Sequence, residues 1–546
     1  MQKKTVTLAL FVILLLSMTV LTTTARAATE TDIENAIARG VAYLAGRQNP
    51  DGSWGSYAYY SVALTGLVLM KLEMRAYELH YESPFDPLYP YSSNVIAGWK
   101  FIFSKDGAGY PVYALKQLLS LQDHTAGASG TIDNPDTNGN GYGIHFSYPQ
   151  VYNTGIILMA LEASGTPDRA NDGGIDYDGN GIAETFKQIA QDTADWLAWA
   201  QGDLVNDQGG YGYDQLDNTG GPSAWTDNSN TGYAYLGLAA AEGFGCTVPA
   251  WVRTELNVWI TTIQDPVDGN PDDGGSYYNP DWLPWNPMVN ELKSGNLVFQ
   301  MTFYGDTQAV QRFKDAMAYI ARHWNDMNND PGWGHGISPS NYQAMFCLMK
   351  GFVYSKIDLI DLDGDLTPEY NWYNEFATVL VSQQNPADGS WFSGMYVDDP
   401  TIDTAWALLT LEKVVPPRLT PGKVTGGGQI AIPLPSLKTG KASFGFNIMY
   451  QEGDPAPKGE LQYVDHTTKM IVHSETMTSL IVSKDKTKAT FRGTCTINGI
   501  GGFTFSAYVE DKGEPGTNDV FKISLSNGIS AGGTLLNGNI QIHKKP

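Results

Sequence analysis

Apolar residues recur at helical spacing in twelve stretches between Thr31 and Val415, and these stretches come in pairs. The first member of each pair has one apolar face. The second is rich in small residues and apolar around most of its circumference, as expected for a helix that is contacted on every side. The six pairs are Asp32–Gln48 with Tyr59–Glu73, Asn94–Phe103 with Tyr152–Ser164, Glu184–Gln201 with Ser229–Gly243, Pro249–Gln264 with Ser294–Gly305, Ala309–Trp324 with Ser340–Phe352, and Glu375–Gln384 with Asp403–Glu412.

This pattern predicts six helical hairpins in residues 28–415, arranged as a closed ring with six inner and six outer helices. The inner helices begin with Asn or Asp in equivalent places, among them Asn153, Asn230 and Asn341. In a ring these N-termini would meet at one pole, where we expect a pocket. One longer connection contains the apolar segment Tyr113–Leu121, which predicts a short extra helix.

The periodicity changes to two after the proline-rich segment 416–421, which we interpret as a linker. Residues 422–546 contain several short stretches in which apolar and polar residues alternate between Gly, Asn and Asp turns. Short antiparallel strands of this kind predict an all-β sandwich. The chain is therefore expected to be multidomain, with an all-α part followed by an all-β part.

The first 27 residues have the pattern of a secretory signal peptide. Lys3 and Lys4 precede an apolar run, and Ala25-Arg26-Ala27 supplies an A-x-A cleavage site. No later stretch is long and apolar enough to predict a membrane span. We therefore expect a secreted or cell-surface protein.

The formal net charge is −24, and the excess of acid is concentrated in the predicted helical part. An acidic body repels phosphate backbones, which argues against nucleic acid as a partner. Divalent cations and neutral or basic ligands are easier to accommodate. Solubility or adaptation to salt explains the same charge equally well.

One short motif occurs in both the first and the last hairpin. QNPDGSWG spans Gln48–Gly55, and QNPADGSW spans Gln384–Trp391, followed by the helix start DTAWALL. These motifs resemble the QW repeats of squalene-hopene cyclases and, more broadly, of the terpene cyclase and protein prenyltransferase superfamily. The resemblance covers roughly residues 31–415. It implies an (α/α)6 toroid in which the Gln and Trp side chains tie outer helices to loops.

The catalytic motif of the cyclases is absent. At the corresponding position the chain has Pro-Thr-Ile-Asp-Thr-Ala, so that Ile402 stands where the resemblance places the proton donor and Asp403 is the retained last acid. The resemblance therefore supports the fold and not the reaction. The C-terminal part resembles post-COAP modules, which implies an accessory role, with association to a cell surface as one expectation.

Two acidic loops share the spacing D-x-D-G-[N/D]-x-x-x-E, which is similar to dockerin-type and EF-hand calcium loops. Alternating carboxylates around a Gly turn suit a hard cation, so the loops predict structural calcium sites, with solvated acidic turns as the alternative. The predicted ligands are Asp176, Asp178, Asn180 and Glu184 in one loop and Asp361, Asp363, Asp365 and Glu369 in the other.

Candidate functional side chains cluster at the predicted pole. If the ring is an enzyme, Asp227, Asp399, Asp403 and His335 are the expected catalytic groups, although each also suits a helix cap or a turn. The other candidate ligand-binding residues besides the three Asn are aromatic. Trp333 and Trp391, with Tyr213 and Tyr278, could stack on sugars or pack between helices.

Three functions follow from these patterns. The first is binding of an extracellular small molecule or glycan at the inner-helix pole. The second is glycan degradation by a hydrolase or lyase, which requires Asp227, Asp399 and Asp403 around one open pocket. The third is a squalene or terpenoid cyclase homologue, which requires an apolar aromatic cavity with one acid at its end.

Overall fold

The computed structural model describes residues 26–55, 60–79, 81, 83–104, 112–118, 124–126, 131–171, 173–174, 176–177, 181–203, 207–214, 226–280, 288–328, 330–395, 399–414, 422–433, 439–450, 457–482, 486–525 and 529–543. Most of the predicted signal peptide and the whole of the predicted linker 416–421 lie outside these residues. A helical region precedes an antiparallel β region, as predicted.

Twelve helices are present in the described part of the chain, and they are the twelve predicted stretches with boundaries that differ by a few residues. They are α1 (Glu30–Gly46), α2 (Ser61–Glu78), α3 (Ser92–Ile102), α4 (Gln150–Ala163), α5 (Phe186–Ala200), α6 (Asn228–Gly243), α7 (Ala250–Ile263), α8 (Glu291–Tyr304), α9 (Gln311–His323), α10 (Tyr342–Tyr354), α11 (Trp372–Gln383) and α12 (Pro400–Leu411). None of them is both long and apolar enough to cross a bilayer.

The even-numbered helices contact one another in cyclic order. Each packs against the even-numbered helices before and after it, and α12 also packs against α2. Glycines bring their backbones together: a Cβ on Gly155 of α4 would lie 2.3 Å from the Tyr233 carbonyl oxygen of α6, and one on Gly237 would lie 2.8 Å from Gly155. The small residues of the predicted inner helices therefore permit close helix contact.

The glutamines at the ends of the odd-numbered helices reach the next odd-numbered helix. Gln48 donates to the Asn94 carbonyl oxygen of α3, Gln201 to Val252 of α7 and Gln264 to Arg312 of α9, at 2.8–3.1 Å. Gln384 at the end of α11 donates in the same way to the Ala36 carbonyl oxygen of α1. The last hairpin is thus joined to the first by the same kind of bond that joins the first to the second, the third to the fourth and the fourth to the fifth.

The tryptophans of the repeated motif have equivalent contacts. The Trp54 indole donates to the Leu44 carbonyl oxygen at 2.7 Å, and the Trp391 indole donates to the Leu380 carbonyl oxygen at 2.8 Å. Their backbone amides donate to Thr65 and Thr404, respectively, at 3.0 Å. Each motif therefore ties an odd-numbered helix to the even-numbered helix that follows it.

The connection between α3 and α4 contains strands where a helix was predicted. Tyr113–Gln117 forms β1, which pairs antiparallel with β4 (Tyr142–Phe146), and β2 (His124–Ala126) pairs with β3 (Thr131–Asp133). The predicted helix at Tyr113–Leu121 is therefore wrong over its described residues. Pairing with a partner strand some thirty residues away overrides the local helical pattern.

The C-terminal region has eight antiparallel strands. They are β5 (Gly422–Pro433), β6 (Thr439–Tyr450), β7 (Lys458–Asp465), β8 (Met470–Val482), β9 (Lys488–Ile497), β10 (Ile500–Glu510), β11 (Val520–Leu525) and β12 (Ser530–His543). The antiparallel β prediction is confirmed, but the strands form one sheet that closes on itself instead of two face-to-face sheets. The reason is that each strand pairs with its neighbours in the chain and β12 pairs with β5. One interior core results, in which the rings of Phe444 and Phe521 stack at 3.8 Å.

Candidate functional site

A pocket of about 630 Å³ lies at the N-terminal ends of the even-numbered helices. All six of these helices contribute lining side chains, and one example from each, in chain order, is Leu64, Ile156, Ser229, Lys293, Gln343 and Trp406. The volume is within the range of small-molecule sites. The cyclic packing of the helices is what brings residues this far apart in sequence to one cavity.

Tyrosines form much of the pocket wall. The ring of Tyr152 lies 4.9 Å from that of Tyr233 and 6.0 Å from that of Tyr213, measured between centroids. The hydroxyls of Tyr213 and Tyr278 are 3.2 Å apart, and the Trp406 indole donates to the Tyr233 hydroxyl at 3.2 Å. Burial raises the pKa of Tyr152 and Tyr278, so both phenols stay protonated at neutral pH. The wall therefore offers aromatic surface with hydroxyl donors.

Asp227 lies directly behind this wall and caps α6. Its carboxylate accepts hydrogen bonds from the Ser229 and Asn230 amides at 2.8 Å, from the Ser229 hydroxyl at 2.5 Å and from the Asn230 side chain at 2.8 Å. Burial raises the pKa of Asp227. Of these three residues, only Ser229 is among the described residues that line the pocket. The capping interpretation thus accounts for Asp227, and Asn230 donates to that cap.

The two acids at the start of α12 are not among the described residues that line the pocket. Asp399 caps the helix by accepting from the Thr401 amide at 2.9 Å. Asp403 accepts from the Ser393 amide at 2.6 Å and from its hydroxyl at 2.8 Å, and burial raises its pKa. Ile402, in contrast, lines the pocket. An apolar side chain therefore occupies the position that the resemblance assigns to the proton donor.

His335, in the loop between α9 and α10, belongs to a separate cluster with Glu375 of α11. Its Nε2 lies 2.9 Å from Oε1 of Glu375 on α11, and the other oxygen of Glu375 accepts from the Tyr370 hydroxyl at 2.6 Å and from the Trp324 indole at 2.8 Å. The structure therefore does not bring His335 together with Asp227, Asp399 and Asp403. Asp330 supplies the carboxylate among the described residues that line the pocket.

The predicted ligand-binding residues divide into one that lines the pocket and four that do not. Asn341 lines it and also caps α10, where it accepts from the Ala344 amide at 3.0 Å. The side chain of Asn153 donates to the Ser147 carbonyl oxygen. Trp333 and Trp391 are both fully buried, and the ring of Trp333 packs 5.5 Å from that of Trp324. Packing between helices thus accounts for both tryptophans.

The second acidic loop brings its four predicted ligands together. Carboxylate oxygens of Asp361, Asp363, Asp365 and Glu369 all lie within 4.8 Å of one another. The ends of the loop are joined because Ile360 and Tyr370 exchange backbone hydrogen bonds of 2.9 and 3.1 Å. Desolvation and then the charges of the three aspartates raise the pKa of Glu369, whose side chain is exposed. These are oxygen donors of the kind that calcium prefers.

The first acidic loop is only partly described. Asp178 and Asn180 lie outside the described residues. Asp176 accepts from the Gly181 amide at 2.7 Å, and Glu184 accepts from the Tyr177 amide at 3.0 Å. Both acids therefore hold the ends of the loop.

Lys293 is a pocket residue that the sequence patterns did not single out. It is 4% exposed, and its ammonium lies 5.3 Å from the centroid of the Tyr278 ring. Burial lowers its pKa to about 8. A sequence signal does exist, because Lys293 is the only basic residue in the first turn of any even-numbered helix, all six of which have described first turns.

No protein-family model matches the chain, and no curated protein sequence matches it. The chemistry of the pocket is therefore the basis for the function.

Proposed function

We propose that the helical region is an (α/α)6 toroid and that it binds a small extracellular ligand in the pocket at the inner-helix pole. The observation that carries this proposal is that all six even-numbered helices supply lining side chains to one cavity of about 630 Å³. The bond from Gln384 to α1 supports the ring, since it repeats the bond between successive hairpins. The mixture of aromatic wall and few polar groups suits a largely apolar ligand.

Binding explains the pocket better than the two catalytic alternatives. A glycosidase needs two carboxylates that face one substrate, and Asp330 is the carboxylate among the described lining residues. A cyclase would use the aromatic wall, but Ile402 occupies the place of the acid. The buried cation Lys293 would also repel a carbocation intermediate.

Filling the pocket with a larger side chain is expected to weaken ligand binding. Ala63 lines the pocket on α2, so Ala63→Trp should weaken the binding of the neutral dye Nile red at least about tenfold, because the indole occupies the ligand volume. The measurement is a fluorescence titration. Ala38→Trp on the exposed face of α1 adds the same side chain outside the pocket and serves as the control. Equal affinities of the two variants and the parent protein would contradict the proposal.

We also propose that Asp361, Asp363, Asp365 and Glu369 hold a structural calcium ion, which suits the predicted export to a calcium-rich exterior. The support is the convergence of their oxygens and the backbone closure of the loop. A cation would relieve the repulsion between these acids, and Asp361 would also keep its hydrogen bonds from the Gly364 and Leu366 amides at 2.8 Å, which fix the turn.

Calcium is expected to raise the melting temperature of the protein. At a concentration about a hundred times Kd, the ion stabilises the folded state by about 2.7 kcal/mol. The variant Asp363→Asn/Asp365→Asn should lose most of this shift, whereas Asp358→Asn, an exposed site just outside the loop, should keep it. Thermal scans with calcium, magnesium and chelator make the measurement. A calcium shift that persists in the double variant would place the ion elsewhere.

A further inference from the structure

Lys293 is held in the pocket wall without a partner for its charge. The residue is 96% buried, and its ammonium forms no hydrogen bond and no salt bridge with any described residue. The negative charges of Asp330 and Asp227 favour the charged form of Lys293, but both carboxylates lie too far from the ammonium for a salt bridge. The nearest described aromatic group is the ring of Tyr278, also part of the wall, and its π face gives weaker compensation than an anion.

The position of Lys293 is unfavourable for stability in two further ways. It is the third residue of α8, and a cation in the first turn opposes the positive end of the helix dipole. The starts of the other five inner helices point their positive ends to the same pole. A buried ammonium also loses its hydration without replacement. Each of these costs would be removed by an anion in the pocket.

We infer that the pocket binds a ligand with a carboxylate that pairs with Lys293 and with an apolar, ring-bearing body that packs on the tyrosine wall. This inference rests on the proposed function and names its ligand class. The ligand carboxylate would accept a charge-assisted hydrogen bond from the Lys293 ammonium and would lie near the positive N-terminal end of α8. The rings of Tyr152 and Tyr233 would provide the apolar contact.

The net charge of the chain predicts the opposite preference. At −24 the protein as a whole repels anions. Charges on the outer surface are screened over roughly 10 Å at moderate salt, whereas a buried ammonium acts on a bound ligand at contact distance and in a low dielectric. The local charge therefore decides which ligand the pocket accepts.

A matched pair of probes tests the inference. Naphthylacetic acid and naphthylethanol share a ring system, but only the acid is charged at pH 6.5. Isothermal titration calorimetry at this pH measures the affinity of the protein for each probe. The parent protein should bind the acid at least about tenfold more tightly than the alcohol. Lys293→Met should remove this preference, so that the acid and the alcohol bind with similar affinity, because the variant keeps an unbranched buried side chain and lacks the charge. Lys293→Arg should keep the preference.

A pH series gives an independent readout of the same group. The preference for the acid should fall as pH rises through about 8, where burial places the pKa of Lys293. The described titratable groups that act on Lys293 are Asp330 and Asp227, with Tyr278 against its ammonium. Asp330→Asn should therefore strengthen binding of the acid and retain the dependence on pH.

The outcomes separate this inference from the proposed function. If Lys293→Met retains the preference for the acid, or if the parent protein binds both probes equally, the carboxylate inference is overturned and ligand binding stands. If neither probe nor Nile red binds the parent protein, the proposed function itself fails. Melting temperatures of the variants that are no lower than that of the parent protein establish that they remain folded.

Discussion

Replacing Trp391 with alanine is expected to lower the free energy of unfolding of the helical region by about 3–5 kcal/mol. The side chain is fully buried, and its indole donates to the Leu380 carbonyl oxygen at 2.8 Å. It also fills the space above Gly40 of α1, where a Cβ would lie 2.8 Å from the indole. The substitution would leave a large cavity between α1, α11 and α12 and an unpaired carbonyl.

Chemical denaturation monitored by circular dichroism measures this loss. The neighbouring residue Phe392 provides a control because it is 44% exposed, so Phe392→Ala should change the free energy of unfolding by less than about 0.5 kcal/mol. Comparable losses for the two variants would mean that Trp391 does not anchor the last hairpin. Nile red binding is measured separately on the variants that remain folded.

Replacing Lys71 with methionine is expected to cost about 3–5 kcal/mol, because it leaves the Glu412 carboxylate buried without its partner. Lys71 is completely buried and forms an ion pair with Glu412 of the last hairpin, and Glu78 lies 3.6 Å away. The two partners of this pair are 341 positions apart. The bridge thus joins the beginning and end of the helical region.

A double-mutant cycle separates pairing from packing in this bridge. Lys71→Met/Glu412→Leu should recover much of the loss, since a pair of apolar residues of similar volume leaves no buried charge. Arg26→Met provides an exposed comparison, because the Arg26 side chain is 76% exposed in its ion pair with Asp32, and the denaturation midpoint should hardly change. Additive effects of the two single substitutions would show that the pair is not coupled.

Ile402 and Asp403 show how the position of a residue on one helix decides which side chain the pocket receives. Their two positions are adjacent in the sequence, yet only the isoleucine lines the pocket, while the aspartate binds Ser393 in the loop before α12. Successive residues of a helix point about 100° apart, so one position decides whether a carboxylate faces a substrate or a loop. The pocket of this protein therefore offers an apolar group at Ile402 and a positive charge at Lys293 on α8.

The sequence alone was sufficient to predict the twelve helices and to identify the repeated Gln-Trp motif. The 3.6-residue periodicity predicted all twelve helices, because one apolar face per helix is a local property of the chain. The Gln-Trp motif led us to expect a tie between a helix and its loop. Gln384 donates to the Gly389 carbonyl oxygen in the loop, and the Trp391 indole donates to the Leu380 carbonyl oxygen of α11. The alternation after the linker predicted antiparallel strands for the same local reason.

The tertiary structure decided which of these residues meet. Only the cyclic packing of helices distant in sequence places Lys293, Tyr152 and Ile402 on one cavity, and only the pairing of β12 with β5 closes the C-terminal sheet. The repeated Asn and Asp residues were the visible signal. Asn341 caps its helix and lines the pocket, whereas Asn153, Asn230 and Asp403 bond to groups outside the pocket lining. Spacing determines which residues share a face of one element, whereas the direction of that face depends on packing against elements that the local pattern does not identify.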